Sequence, residues 1–163
     1  VILPTPPPTL SMGDFSHIDK SLKVLRPYLK TSIQTNRQGV NIFIYGSPGV
    51  GKTELARLLG QDCDAVLYEV SSEDAEGEAI NTKERFRAFQ ASQAILRNQP
   101  ALLLFDESED VFESYDNPLM SLFGGHNQSQ KTKGWINRAL EQNSVPDVSL
   151  SAIDIPLHKS SWY

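Results

Sequence analysis

An α/β fold, with strands and helices alternating along the chain, is what this sequence predicts, and three observations predict it. Val40-Asn41-Ile42-Phe43-Ile44-Tyr45, rich in β-branched and aromatic residues, feeds a glycine-rich loop and then a run with leucines at helical spacing. A second, wholly apolar run, Ala101-Leu102-Leu103-Leu104-Phe105, ends in two adjacent carboxylates, Asp106 and Glu107. Between these lie another strand-like run, Ala65-Val66-Leu67-Tyr68-Glu69-Val70, and a helix-like stretch from Asn81 to about Asn98.

The glycine-rich loop is Gly46-Ser47-Pro48-Gly49-Val50-Gly51-Lys52-Thr53, which fits the phosphate-loop pattern G-x-x-x-x-G-K-[ST] without a mismatch. Glycines let the backbone turn tightly and bring successive N–H groups to phosphate oxygens, where a Cβ would obstruct. The helix that follows presents its positive N-terminal end to the same anion. Lys52 supplies a mobile cation for the outer phosphates, and Thr53 a hydroxyl ligand for Mg²⁺. The candidate nucleotide-binding set is therefore Gly46, Ser47, Pro48, Gly49, Val50, Gly51, Lys52 and Thr53, with Glu54 in the first helical turn. Leu55, Leu58 and Leu59 give that helix its apolar face, and Gly60 is a plausible stop.

Composition bounds the rest. The 163 residues suffice for one domain with a real core. A formal net charge of -5 argues against a bulk electrostatic grip on nucleic acid or an anionic membrane. The single cysteine, Cys63, leaves no internal disulfide and suits a cytoplasmic protein; it reads as a buried spacer rather than a nucleophile. No apolar run approaches membrane-spanning length, and no signal peptide is visible.

In chain order, residues 1–13 carry Pro4, Pro6, Pro7 and Pro8 and read as an extended, poorly ordered proline-rich linker. From Asp14 to Arg37, Ile18, Leu22, Leu25, Leu29 and Ile33 share one helical face. Pro27 interrupts that face, which predicts a kink or two successive helices. Residues 71–80 are acidic and read as a loop. Asn81 with Glu84 is a helix-start signal, and Phe86, Phe89 and Leu96 are its expected core residues. Ser108 to Gly134 is mixed, and Lys133 to Gln142 reads as a helix. Val145 to Ile155 reads as a short strand at most, between Pro146 and Pro156. The expected organisation is a linker over 1–13, a nucleotide-binding core over 14–145 and an atypical tail over 146–163.

Ligands of open α/β sheets bind at the carboxyl ends of strands, so the loop after the first core strand and the acids after residue 105 are expected to meet. Asp106 suits a Mg²⁺ ligand, and Glu107 suits a base that orients and deprotonates an attacking water.

Taken together, Tyr45 through Ala56 resembles the Walker A region of AAA+ ATPases, and Leu102 through Glu107 resembles their Walker B with its Asp-Glu pair. The resemblance spans roughly residues 15 to 145. It implies a three-layer αβα sandwich on a parallel P-loop sheet, truncated before the last core strand and helical lid. It further implies ATP and Mg²⁺ as cofactors, Lys52 and Glu107 as catalytic residues, and Thr53 and Asp106 as metal ligands. The usual work of such domains is remodelling of a macromolecular partner by a homo-oligomeric ring. Three features depart from the full pattern. Ser149, Ser151 and Asp154 are the candidates for a sensor position, none in a persuasive context. The last arginine, Arg138, comes early for an arginine finger, so slow hydrolysis is expected of this chain alone. Residues 71–80 hold only Ala79-Ile80 where substrate-threading members carry an aromatic residue.

Two other readings fit the loop. A small phosphotransferase would share the Pro48-containing sequence, but the Asp-Glu pair after the later apolar strand is not typical of that group. A non-catalytic nucleotide-binding fragment would need neither finger nor lid. A GTPase is excluded by the lack of an Asn-Lys-x-Asp guanine reader.

Overall fold

The computed structural model describes residues 2–74, 76–106, 138 and 140–151. Five strands and three helices are formed by these residues: β1 (Ile2–Pro4), α1 (Asp19–Gln34), β2 (Asn41–Tyr45), α2 (Lys52–Asp62), β3 (Val66–Val70), α3 (Thr82–Ile95), β4 (Ala101–Phe105) and β5 (Asp147–Ser151). A 3-10 segment, Met12–Ile18, leads into α1. The sheet runs β1-β3-β4-β5-β2. β1 is antiparallel to β3, and the other three pairings are parallel.

Helices cover both faces, as alternating side chains on buried strands require. Leu67, Leu102, Leu104, Val148 and Leu150 point to the face where Leu22 and Leu29 of α1 and Leu55 and Leu59 of α2 pack. Val70, Leu103 and Phe105 point to the opposite face, against Phe86 and Phe89 of α3. This is the three-layer αβα arrangement. β4 is buried along its whole length, which is why its sequence shows no polar alternation.

Three elements differ from expectation. α1 runs unbroken through Pro27. That residue lies on the exposed side, where the Lys23 carbonyl its missing N–H leaves free can turn to water, while Leu22, Leu29 and Ile33 anchor the helix on either side. The proline-rich start is extended but docked: Ile2, Leu3 and Pro4 pair with Val70, Glu69 and Tyr68, and the Thr5 amide donates to Leu67 O at 2.8 Å. Its prolines suit an edge strand, which needs donors on one side only.

The third difference is the largest. The core was expected to close at residue 145, yet β5 is inserted between β4 and β2. Pro146 stands just before the strand, where no N–H is needed, and its carbonyl accepts from Leu103 N at 3.1 Å. The polar members of the Asp147-Val148-Ser149-Leu150 alternation are as buried as the apolar ones. Gln93 on α3 steers the chain into this slot: its Oε1 accepts the Ser144 and Val145 amides at 2.8 Å, and its Nε2 donates to Val145 O at 3.1 Å. Residues 107–137, and with them most of the helix expected over 133–142, lie outside the described residues.

Candidate functional site

Because β2, β5 and β4 are parallel neighbours, the chain leaves β2 and β4 at the same end of the sheet. The loop 46–51 follows β2, and Asp106 follows β4. Thr53 Oγ1 lies 3.5 Å from Asp106 Oδ2, a donor–acceptor contact across 53 positions of sequence. The Lys52 ammonium donates to the carbonyls of Gly46 at 2.8 Å and Ser47 at 3.1 Å, so it sits within the curve of its own loop. Ser47, Pro48, Gly49 and Val50 are exposed, while Lys52 and Thr53 are half-buried at the start of α2.

Two glycines make the curve possible. Gly49 (φ +80°) and Gly51 (φ +89°) hold left-handed conformations that L side chains rarely adopt. A Cβ on Gly51 would also come within 3.3 Å of the Phe15 ring. No heavy atom comes within 4 Å of the position a Cβ on Gly49 would take, so the loop there borders open space. The side chains fit magnesium and phosphate: a hydroxyl and a carboxylate are hard oxygen donors, and the lysine is a mobile cation. Among the described residues no cluster of three or more His, Cys, Asp or Glu is placed to hold a metal.

Glu54 is engaged elsewhere. Its Oε2 accepts the Thr9 amide at 2.6 Å, the Thr9 hydroxyl at 3.0 Å and the Leu10 amide at 3.2 Å, and its Oε1 pairs with Arg57. These bonds, the Thr9 amide first, hold its carboxyl down at about 2. Glu54 therefore ties the N-terminal segment to the first turn of α2. On the neighbouring strand, burial pushes the Glu69 carboxyl above its ordinary value, and the charge of Asp106 adds to the effect.

Glu107, Ala75 and Asp154 lie outside the described residues, as does the side chain of Ser151. Ser149 is buried and donates to Asp147 Oδ2 at 3.3 Å. Arg138 is exposed. Cys63 is buried, and that burial raises its thiol to about 11, as expected of a spacer. Sequence reasoning missed the Thr9–Glu54 tether and a buried arginine, Arg85, that reaches the Asp106 backbone. No local pattern signals either one, since each depends on a partner 21 or more positions away.

Residues 42–145 match the family model described as the ATPase family associated with various cellular activities (AAA). Spastin of Anopheles gambiae is 31% identical over 91 residues, 55% of this chain and 10% of that protein. ATPase family gene 2 protein homolog B of Mus musculus is 31% identical over 109 residues, 63% of this chain and 15% of that protein. The chain thus spans a small part of these relatives' length. The crystal structure of the FIGL-1 AAA domain in complex with ADP superposes with a TM-score of 0.55 at 12% identity, covering 99% of this chain and 54% of that one. At that identity the likeness is one of fold.

Proposed function

This chain belongs to the AAA family of ATPases, and from that premise we propose that it binds Mg-ATP and hydrolyses it, within an oligomer that remodels a macromolecular partner. The observation that carries this reading is the approach of Thr53 Oγ1 to Asp106 Oδ2 beside Lys52. It supports a single site that takes phosphates on one side and a divalent cation on the other.

In this reading the backbone N–H groups of residues 46–51 and the N-terminus of α2 hold the phosphate oxygens. Lys52 exchanges the Gly46 and Ser47 carbonyls for β- and γ-phosphate oxygens. Thr53 and Asp106 hold Mg²⁺, which when bound neutralises charge on the transferred phosphoryl group. Glu107 takes the proton of the attacking water. A micromolar site of this kind requires about 8 kcal/mol of binding free energy. The oligomer and the remodelled partner follow from the family reading, and the cytoplasmic setting rests on the single cysteine. No helix among the described residues is long and apolar enough to cross a membrane.

Titration of ATP into the chain and into Lys52→Ala tests the site; equal affinity in both would reject it. Glu107→Gln should bind ATP and lose turnover, and unchanged turnover would remove Glu107 from its role. Phosphate release that rises more than linearly with protein concentration is expected of catalysis between subunits. No phosphate release at any protein concentration would favour a hydrolysis-deficient nucleotide-binding chain.

A further inference from the structure

Arg85, on the first turns of α3, is buried at 4% exposure behind the carboxyl end of β4. Its Nη2 donates to the main-chain carbonyl of Asp106 at 2.6 Å. Its Cζ lies 4.7 Å from the centroid of the Phe105 ring, within cation–π range. That ring is in turn fixed edge-on by Phe89, at 5.8 Å and 85°, and Phe89 stacks on Phe86 at 5.8 Å. One helix therefore grips two successive residues of the strand end, Phe105 by its side chain and Asp106 by its backbone.

The grip falls where the sheet stops restraining the chain. The paired register of β4 ends at Leu104 on the β3 side and at Phe105 on the β5 side. Asp106 O lies just beyond both. A planar peptide moves its carbonyl as part of one rigid unit, so a bond to Asp106 O fixes the carbonyl end of that residue. With the Phe105 pairing holding the chain before Asp106 and the Arg85 bond holding its carbonyl, Asp106 Cα is anchored from both sides, and with it the base of the carboxylate that lies 3.5 Å from Thr53 Oγ1. Burying an arginine is costly unless it does something for the fold or the site, and Arg85 Nε finds no hydrogen-bond partner among the described residues. An apolar residue would fill the same space under α3 without that cost.

We propose that Arg85 is a positioning residue for the cation side of the nucleotide site: by holding the Asp106 carbonyl it aims the Asp106 carboxylate at the metal beside Thr53. The proposal rests on the Mg-ATP reading above. It divides the site in two. Phosphate capture by residues 46–52 does not pass through Arg85, and the cation's hold on the protein does.

The test measures binding of a fluorescent ATP analogue to the full chain in EDTA and across a Mg²⁺ titration, for the wild type, Arg85→Met, Arg85→Gln and Arg85→Lys. Thermal unfolding followed by circular dichroism identifies the folded variants. Expected in Arg85→Gln and Arg85→Met is an unchanged affinity in EDTA with a Mg²⁺ requirement raised roughly 10–100-fold, the usual effect of removing a residue that orients a metal ligand. Arg85→Lys, which keeps one donor for the carbonyl, should recover part of the loss. A folded Gln or Met variant with the wild-type Mg²⁺ requirement would overturn the proposal. So would an equal loss of affinity in EDTA and in Mg²⁺, which marks a general structural role. If Met and Gln do not fold, the Lys variant decides: unchanged affinity in EDTA with an intermediate Mg²⁺ requirement is expected, and an equal loss in EDTA and in Mg²⁺ would overturn the proposal. A wild type that binds the analogue no better with Mg²⁺ than in EDTA would instead defeat the Mg-ATP reading itself, and this proposal with it.

Discussion

Thr53 Oγ1 stands 3.5 Å from Asp106 Oδ2, although one opens a helix after the first parallel strand and the other closes a strand two places away in the sheet. The two side chains are brought together because β2, β5 and β4 run the same way and end at the same level. If they share a magnesium ion, Thr53→Ala and Asp106→Asn should each weaken Mg-dependent ATP binding by about 10–100-fold, the loss of a hydrogen bond or ligand bond to a charged group. The double variant should fall short of the product of the two, since each removes the same bridge. Isothermal titration at fixed Mg²⁺ reads both outcomes, and fully multiplicative losses would separate the two residues.

The Thr9–Glu54 tether predicts a local response. Glu54→Gln leaves a weaker, neutral acceptor for the Thr9 and Leu10 amides. Those amides, with Ile2 and Leu3 of β1 and Thr5, should then exchange hydrogen faster, with α3 and β4 unchanged. The same loosening is expected on acidification. The Glu54 carboxyl is held below its ordinary 4.5, so its contribution is complete above that pH and is lost as pH falls toward 2. Exchange measured by mass spectrometry at pH 7 and in the Gln variant checks the first point; equal protection in both would dismiss the tether.

Asp147 predicts the opposite slope. It is fully buried at the start of β5, with Asn143 Nδ2 donating to Oδ1 at 2.6 Å and the Ser149 hydroxyl to Oδ2. Burial outweighs these two neutral donors and lifts its carboxyl from 3.8 to about 7. Between those values the folded chain keeps a proton that the unfolded chain releases. Stability from this group is therefore complete below about pH 4, falls as pH rises and levels off above 7, by on the order of 4 kcal/mol in all. Asp147→Asn should flatten that slope in urea unfolding series run from pH 4 to 8. An unaltered slope would show that another group carries it.

At Gly51 two costs combine. Alanine there must hold φ near +89°, worth about 1–2 kcal/mol of strain, and its Cβ would press on Phe15. Gly51→Ala should lower stability by at least that amount. Adding Phe15→Leu should recover little, because the backbone strain remains. A stabilised Gly51→Ala, read from the urea midpoint, would contradict the geometry of the loop.

Read alone, the chain discloses what is encoded within a few neighbouring residues. Gly46 to Thr53 carries its conformation in its own glycines, Asn81 does cap α3 with its side chain accepting the Glu84 amide at 3.0 Å, and the buried positions of α1 follow from leucine spacing. These are local devices: φ preferences, a cap, a period of 3.6. The pairing of Asp106 with Thr53 was also within reach, since strand ends of one polarity are known to converge.

Only the tertiary structure decided that β5 fills the slot between β4 and β2, that the prolines of the N-terminus lie as an edge strand, and that Arg85 holds the Asp106 carbonyl. Each of these depends on partners far apart in the chain: Gln93 on Val145, Ile2 on Val70, Arg85 on Asp106. A buried polar group is stable wherever a partner satisfies it. An alternation such as Asp147-Val148-Ser149-Leu150 therefore reads from sequence as half-exposed, and becomes a central strand only when Asn143 is there to receive Asp147.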